Sequence, residues 1–237
     1  MISKILRHIW IGPYPPPMEW MQTWIDAHPG WQYELIDNAY ITQRRFRNQA
    51  QINAYFRRGK FAGVSDLIRY EILAESGGFI AEADSLCLHP VDELLQDARA
   101  YTVYEHEGGA TGMVSPFLAC EAGNPVLQAV VQEMCQLNVD DMGMPWTTTG
   151  NGFLRRFLAQ NPDLKKKTTI FPSHYFIPEH YKGAVYSGPD RIYARQLWAT
   201  TKRCYPHQLT MTPEKKAAAA ERTASICAQL EANLNHV

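Results

Sequence analysis

One stretch of the chain constrains its fold more than any other. Residues 65–75 repeat apolar side chains at helical spacing, and the helix they predict is stopped by Gly77-Gly78. Residues 79–88 then predict a buried strand, stopped by Pro90. The same alternation occurs upstream. Residues 4–11 predict a buried strand ended by Gly12 and Pro13, residues 18–27 a helix ended by His28-Pro29-Gly30, and residues 31–36 a second strand. Residues 14–17 are a loop, because three consecutive prolines cannot donate to any ladder. Residues 40–58 predict one helix, basic on its outer side and ended by Gly59. This β-α-β rhythm predicts an α/β fold with a mostly parallel central sheet flanked by helices.

The second half is more mixed. Residues 100–105 and 113–120 predict strands, and Asn124-Pro125 marks a helix start with Leu127, Val130, Val131 and Met134 on its apolar face. Thr149-Gly150-Asn151 precedes a helix to about residue 159, and residues 167–171 predict a short strand. Thr212-Pro213-Glu214 opens a final helix with the stripe Ala219, Thr223, Ile226, Leu230 and Leu234. No internal repeat is present. The expected organisation is one domain over residues 1–210, with halves of about 1–95 and 96–210, and a C-terminal helix over 211–237 packed on it.

Lys plus Arg total 23 and Asp plus Glu 24, a balance that argues against a nucleic-acid binder. Cys87, Cys120, Cys135, Cys204 and Cys227 are scattered and odd in number, with no Cys-x-x-Cys. That argues against a disulfide framework or zinc knuckle and predicts a reducing, cytoplasmic setting. No apolar run reaches the roughly 18 residues of a transmembrane span. Lys4, Arg7 and His8 interrupt the first apolar stretch, so no signal peptide is expected.

Two pairs of residues carry chemistry. On the predicted strand, Glu82 and Asp84 alternate onto one face at its carboxyl end, where open α/β sheets place ligands. Same-side carboxylates repel unless a cation sits between them, and hard ions such as Mn²⁺ and Mg²⁺ choose oxygen ligands. The competing reading is two solvated acids where a strand leaves the core. On the predicted helix, Asp66 and Arg69 share a face among Val64, Leu67, Ile68, Ile72 and Leu73. An ion pair there needs further partners or a polar ligand. It is either a salt bridge that seats the helix, or Asp66 accepts from sugar hydroxyls with Arg69 steadying it.

Taken together, Ile9-Trp10-Ile11-Gly12, Ser65-Asp66-x-x-Arg69-Tyr70, Gly77-Gly78 and Glu82-Ala83-Asp84 resemble glycosyltransferase family 32, the DxD-motif sugar transferases. That family includes bacterial capsule enzymes and yeast initiating mannosyltransferases, and at greater distance it is similar to the clostridial glucosylating toxins. The resemblance covers residues 4–95 well and the rest faintly. It implies a GT-A-like, Rossmann-type fold whose first half binds the donor and whose second half binds the acceptor. It implies a UDP- or GDP-sugar donor, Mn²⁺ or Mg²⁺, and retaining hexosyl transfer to a saccharide or lipid-linked saccharide in polysaccharide biosynthesis. A cytoplasmic enzyme, free or peripheral at the inner membrane surface, follows from the same resemblance.

Carried over residue by residue, Asp66, Arg69 and Asp84 are the catalytic set, and Trp10, Ile11, Gly77, Gly78, Glu82 and Ala83 complete the donor pocket. Trp10 either stacks on the nucleotide base or is a core residue. Asp66 resembles the sugar binder and Arg69 its companion near the sugar or diphosphate. Glu82 stands for the first carboxylate of the motif, usually Asp, and Asp84 for the second, which contacts the metal directly. Tyr193-Ala194-Arg195-Gln196-Leu197-Trp198 stands where the family has Tyr-Ala-x-His-x-Trp. Gln196 thereby replaces an imidazole as the third metal ligand, and Thr200 or Thr201 replaces a Ser. Thr148-Thr149-Gly150-Asn151 resembles a Thr-Gly segment whose free backbone N–H groups face acceptor or phosphate, or is a plain helix cap. No protein nucleophile is evident. Alternatives are a toxin-like protein glycosyltransferase, a nucleotide-sugar hydrolase, and a catalytically weakened sugar-nucleotide-binding module, which Glu82 and Gln196 favour.

Of the remaining residues, His28 and His89 precede prolines and read as turns. His106, between Glu105 and Glu107 and followed by Gly108-Gly109, lies on an acceptor-side loop or a solvated tip. His174, His180 and His207 lack metal-ligand spacing, and Tyr175, Tyr181, Tyr186 and Tyr205 either stack on sugars or pack.

Overall fold

The computed structural model describes residues 1–96, 99–107, 113–116 and 118–235, with side chains through residue 233; Gly108-Gly109 and the Leu234 side chain lie outside them. Six strands form the central sheet: β1 (Ile5–Ile9), β2 (Gln32–Ile36), β3 (Gly78–Ala81), β5 (Ala100–Val103), β6 (Ala119–Cys120) and β7 (Thr169–Phe171), in the order β2-β1-β3-β6-β5-β7. β1 pairs in parallel with β2 and β3, and β5 with β7, while β6 runs antiparallel between β3 and β5. A separate pair joins β4 (Ser85–Cys87) to β8 (Ala194–Gln196). The fold is mixed α/β, with a mostly parallel sheet between helical layers.

The helices are α1 (Met18–Ala27), α2 (Asn38–Thr42), α3 (Gln49–Arg57), α4 (Phe61–Ser76), α5 (Pro125–Cys135), α6 (Pro145–Thr148), α7 (Asn151–Gln160), α8 (Pro162–Lys165), α9 (Ala199–Lys202), α10 (Pro206–Leu209) and α11 (Pro213–Asn235). α4 buries Leu67, Ile68, Ile72 and Leu73 against Ile9, Ile80 and the α5 residues Val130 and Met134. Each such side chain contributes about 1.5–3 kcal/mol. The opposite layer packs Trp24, Phe79, Tyr101 and Phe176 around Leu6. Asn124 caps α5 by accepting the Val126 N–H at 2.9 Å. α11 docks on α3 and α2: Leu230 is fully buried, Asn53 Nδ2 donates to its carbonyl at 3.0 Å, and Asn233 Nδ2 donates to the Thr42 carbonyl at 3.1 Å.

Three expected elements come out differently. The helix over 40–58 is two helices, α2 and α3, because Glu71 of α4 reaches into the gap. Its carboxylate accepts the Arg47 N–H at 2.6 Å, the Asn48 N–H at 3.2 Å and Asn48 Nδ2 at 3.0 Å. Those bonds satisfy backbone donors that a continuous helix would have used internally. The strand over 113–120 is reduced to β6, with Val114 making a single bridge to Tyr104. The strand over 79–88 breaks after Ala81 and resumes as β4, which turns out of the sheet to meet β8.

Candidate functional site

That break builds the site. Glu82-Ala83-Asp84 forms a tight turn, closed where the Ser85 N–H and Oγ–H donate to the Glu82 carbonyl at 3.2 and 2.7 Å. The expectation that Glu82 and Asp84 alternate along one strand is therefore corrected: they occupy a turn, and each is drawn to a different wall. Ala83 is buried between them.

Arg69 makes the first wall. Its side chain on α4 is buried, donates Nη1 to the Ile80 carbonyl at 3.3 Å, and pairs Nη2 with Glu82 Oε1 at 2.7 Å. No Asp66–Arg69 ion pair forms within 4 Å among the described residues, which corrects the expected helix-face pair. The guanidinium instead reaches the Glu82 carboxylate at the end of β3 and the Ile80 carbonyl. Asp66 accepts from Thr149 Oγ1 at 2.8 Å. Burial pushes the Asp66 carboxyl up to about 7; the Thr149 bond and the Arg69 charge oppose this and the Glu82 charge adds to it.

Gly150 leaves room beside Asp66, since a Cβ there would lie 3.2 Å from Asp66 Oδ2. The Tyr70 hydroxyl donates to the Thr149 carbonyl at 2.7 Å and holds this segment in place. The N–H groups of Thr149 and Gly150 already donate to the Pro145 carbonyl, both at 2.9 Å. The N–H groups of Thr148, Thr149 and Gly150 are thus used around α6, and of the segment's backbone donors only the Asn151 N–H, at the start of α7, is not among those bonds.

The second wall comes from the C-terminal third. Asp84 is buried; Oδ1 accepts from Gln196 Nε2 at 2.8 Å and Oδ2 from the Ala199 N–H at 2.8 Å. Burial raises both carboxyls. Gln196 and Ala199 moderate the rise at Asp84, while at Glu82 the Arg69 charge opposes it and the Asp84 charge adds to it. Gln196 thus serves Asp84 as a hydrogen-bond donor, which leaves only its carbonyl oxygen as a ligand atom. Among the described residues, no three His, Cys, Asp or Glu side chains gather as a metal site. Two desolvated, mutually repelling carboxylates still fit a hard divalent ion, which Asp84 and Glu82 would hold through their oxygens.

A strap of residues 198–209 lies beside the carboxylate turn. It enters and leaves α9 through two left-handed residues, Trp198 (φ 59°) and Arg203 (φ 54°). Trp10, half-buried at the end of β1, donates Nε1 to the Tyr14 carbonyl at 2.7 Å. Its ring meets Tyr205 edge-on at 5.1 Å, and His207 stacks on Tyr14 at 4.3 Å. Burial raises the Tyr205 hydroxyl, and the Asp84 and Glu82 charges add to the rise. Thr200 and Thr201 are both exposed, and the Thr200 hydroxyl meets that of Tyr205 at 3.3 Å.

The remaining expected donor residues divide. Ile11 is buried in the core directly after Trp10. Gly77 and Gly78 sit at the opposite end of β3, at its start near Ile5. Gly77 ends α4 at φ +64°, where a Cβ would lie 2.5 Å from the Ala122 nitrogen, and a Cβ on Gly78 would lie 2.9 Å from Arg7 Nη1. These two glycines permit the helix-to-strand turn and are a strand length from the carboxylates, so they are corrected out of the donor pocket. Sequence reasoning passed over Thr149 as an Asp66 partner and Tyr205 as a neighbour of Trp10. The Thr-Gly segment was the only signal for the first, and nothing local marked the second.

Residues 17–101 match the family model described as the glycosyltransferase sugar-binding region containing the DXD motif. The match contains Asp66, Arg69, Glu82 and Asp84, the carboxylate turn and its first wall. No curated protein matches the chain by sequence. Among solved structures, the chain is similar to the PaToxG glycosyltransferase, with a TM-score of 0.56 and 13% sequence identity over 95% of this chain and 86% of that one. At that identity the likeness is one of fold: a glycosyltransferase-like α/β fold carries a segment that matches a sugar-binding region.

Proposed function

We propose that this protein is a metal-dependent, retaining glycosyltransferase that moves a hexosyl group from a UDP- or GDP-sugar to a saccharide or lipid-linked saccharide. One observation carries the reading. Asp66, the Arg69–Glu82 pair and Asp84 meet at the carboxyl end of β3, within the segment that matches the sugar-binding family model. Asp66 accepts hydrogen bonds from sugar hydroxyls in the space that Gly150 leaves open. Trp10 offers its ring to the base. Asp84 and Glu82 would hold Mn²⁺ or Mg²⁺ together with the diphosphate. When bound, that ion supplies Lewis-acid stabilisation of charge on the departing diphosphate. The acceptor hydroxyl attacks the anomeric carbon from the leaving-group face, the bond to the diphosphate oxygen breaks, and the hydroxyl proton passes to that oxygen. No protein nucleophile takes part.

In this reading residues 1–210 form one catalytic domain with the 211–237 helix docked on it. The setting is the cytoplasm, at the inner membrane surface when the acceptor is lipid-linked. Among the described residues no helix is long and apolar enough to cross a membrane. A second reading, a sugar-nucleotide-binding module with weakened catalysis, is favoured by Glu82 being tied to Arg69 and by Gln196 donating to Asp84.

A thermal-shift panel of UDP- and GDP-sugars with and without Mn²⁺ tests the proposal. A ligand at one hundred times its Kd stabilises the folded state by about 2.7 kcal/mol. Mn²⁺-dependent stabilisation with sugar transfer supports the transferase. Stabilisation without turnover supports the binding module, and release of free sugar supports a hydrolase. No shift with any nucleotide sugar refutes all three.

A further inference from the structure

Glu105 lies outside the residues just assigned, yet it grips their wall. It follows β5, its side chain is only 13% exposed, and both its oxygens are engaged. Oε2 accepts from Asn151 Nδ2, and Oε1 meets His180 Nε2 at 3.1 Å. The His180 side chain is 5% exposed, and its Nδ1 accepts the Lys182 N–H at 3.2 Å. With Nδ1 acting as acceptor, Nε2 carries the proton and donates to Glu105. Glu105 is thereby aimed by one donor and presented to the other.

Asn151 opens α7 two residues after Thr149, the partner of Asp66, with Gly150 between them. Among the described residues, Glu105 is the only hydrogen-bond partner of the Asn151 side chain. A carboxamide has two N–H donors and one carbonyl acceptor. Glu105 takes one N–H and fixes the amide plane, leaving a donor and an acceptor, the complement that a polyhydroxylated ligand needs. Beyond Glu105 lies an open cleft lined by Glu105, His106, Glu107, Ser173, His180 and Tyr186. Glu107 is occupied by the Ser173 N–H and hydroxyl, both at 2.6 Å, so it braces the cleft.

We propose that Glu105 is a positioning residue of the sugar pocket: it orients the Asn151 amide, two residues along the chain from the Thr149 that bonds Asp66, and is itself aimed by His180. This rests on the donor-sugar reading of Asp66. Glu105→Gln keeps shape but offers an N–H to one of two groups that also present N–H. His180→Ala removes the aiming donor, whereas His180→Gln returns an N–H at the Nε2 position.

The test is calorimetric binding, in Mn²⁺, of UDP-glucose, UDP-galactose, UDP-N-acetylglucosamine and GDP-mannose, with UDP and GDP as references. For the nucleotide sugar that the wild type binds, Glu105→Gln and His180→Ala weaken affinity about tenfold, the worth of one hydrogen bond to a charged group. UDP or GDP affinity stays within about twofold, and His180→Gln binds like the wild type. Unchanged nucleotide-sugar affinity in Glu105→Gln overturns the proposal, as does an equal loss for the free diphosphate or a His180→Gln that behaves like His180→Ala. A wild type that binds diphosphates but none of the four sugars refutes the donor reading itself, and the positioning role falls with it.

Discussion

Arg69 and Gln196 do parallel work for two neighbouring carboxylates, from very different distances along the chain. Arg69 reaches Glu82 across 13 residues, within one helix-turn-strand unit. Gln196 and the Ala199 N–H reach Asp84 across 112 and 115 residues. The first wall is set by α4 running directly into β3, so its geometry follows from a local unit. The second is set by β8 pairing with β4, so it exists only once the C-terminal third has docked. A carboxylate turn is thus held by one short-range and one long-range clamp. Closing the longer loop costs more chain entropy, though the cost grows slowly with length. The strap on the second wall is therefore the part expected to open first.

The largest effect tests the short-range wall. Arg69→Ala strands a partly buried Glu82 and the Ile80 carbonyl. Removing one member of a buried pair typically costs 3–5 kcal/mol, and because the Glu82 side chain is 36% exposed the expected loss is at the lower end, about 3 kcal/mol by urea unfolding. A loss below about 1 kcal/mol would mean that this wall is no firmer than the other.

Asp84 tests the long-range wall. Asp84→Ala removes the acceptor for Gln196 and the Ala199 N–H, for a loss of about 1–3 kcal/mol, with faster proteolysis within residues 198–209. Asp84→Asn keeps one acceptor for the Ala199 N–H, and Gln196 can turn its carbonyl oxygen to the new amide, so the loss by the same unfolding measurement is expected to be about 1 kcal/mol or less. It should nevertheless lose the Mn²⁺ dependence of donor binding. A variant that binds donor with Mn²⁺ as the wild type does would remove Asp84 from the metal role.

Asp66 sharpens the comparison through pH. Its folded-state value of about 7 stands above the ordinary 3.8. The folded protein therefore holds this proton more tightly than the unfolded chain. The resulting stabilisation is complete below about pH 3.8 and is lost as pH rises through about 7. Asp66→Asn should flatten this part of the Tm–pH curve and raise Tm at pH 8. It should also abolish nucleotide-sugar binding while UDP or GDP still binds. A Tm–pH curve unchanged by the substitution would show that burial does not perturb this carboxyl.

The smallest effect is at Tyr205. Tyr205→Ala deletes an edge-on contact with Trp10, a loss of about 0.5–1.5 kcal/mol beyond buried area, read by chemical unfolding. Nucleoside diphosphate affinity should hold or rise, because more of the Trp10 ring becomes available. Trp10→Ala should instead weaken it by about 1–3 kcal/mol if the ring stacks on a base.

The α/β class, α1, the α4–β3 unit and the Asn124 cap were legible in the sequence. Each rests on side-chain period, a Gly or Pro stop, or a cap within a few residues, and such short-range preferences need no partner. That Asp66, Arg69, Glu82 and Asp84 are candidates for one site was legible in the same way, as a spacing. Their partners were not. Only the tertiary structure decided that Glu71 splits the 40–58 helix, that the chain turns after Ala81 and carries Asp84 to β8, and that Arg69 pairs with Glu82 while Asp66 takes Thr149. It also decided that Gly77 and Gly78 serve a turn far from the carboxylates. The physical reason is common to all of these. A buried charge or backbone N–H takes whichever partner the packed surfaces bring within about 3 Å. That choice depends on which elements meet, and no local stretch of this chain encodes it alone.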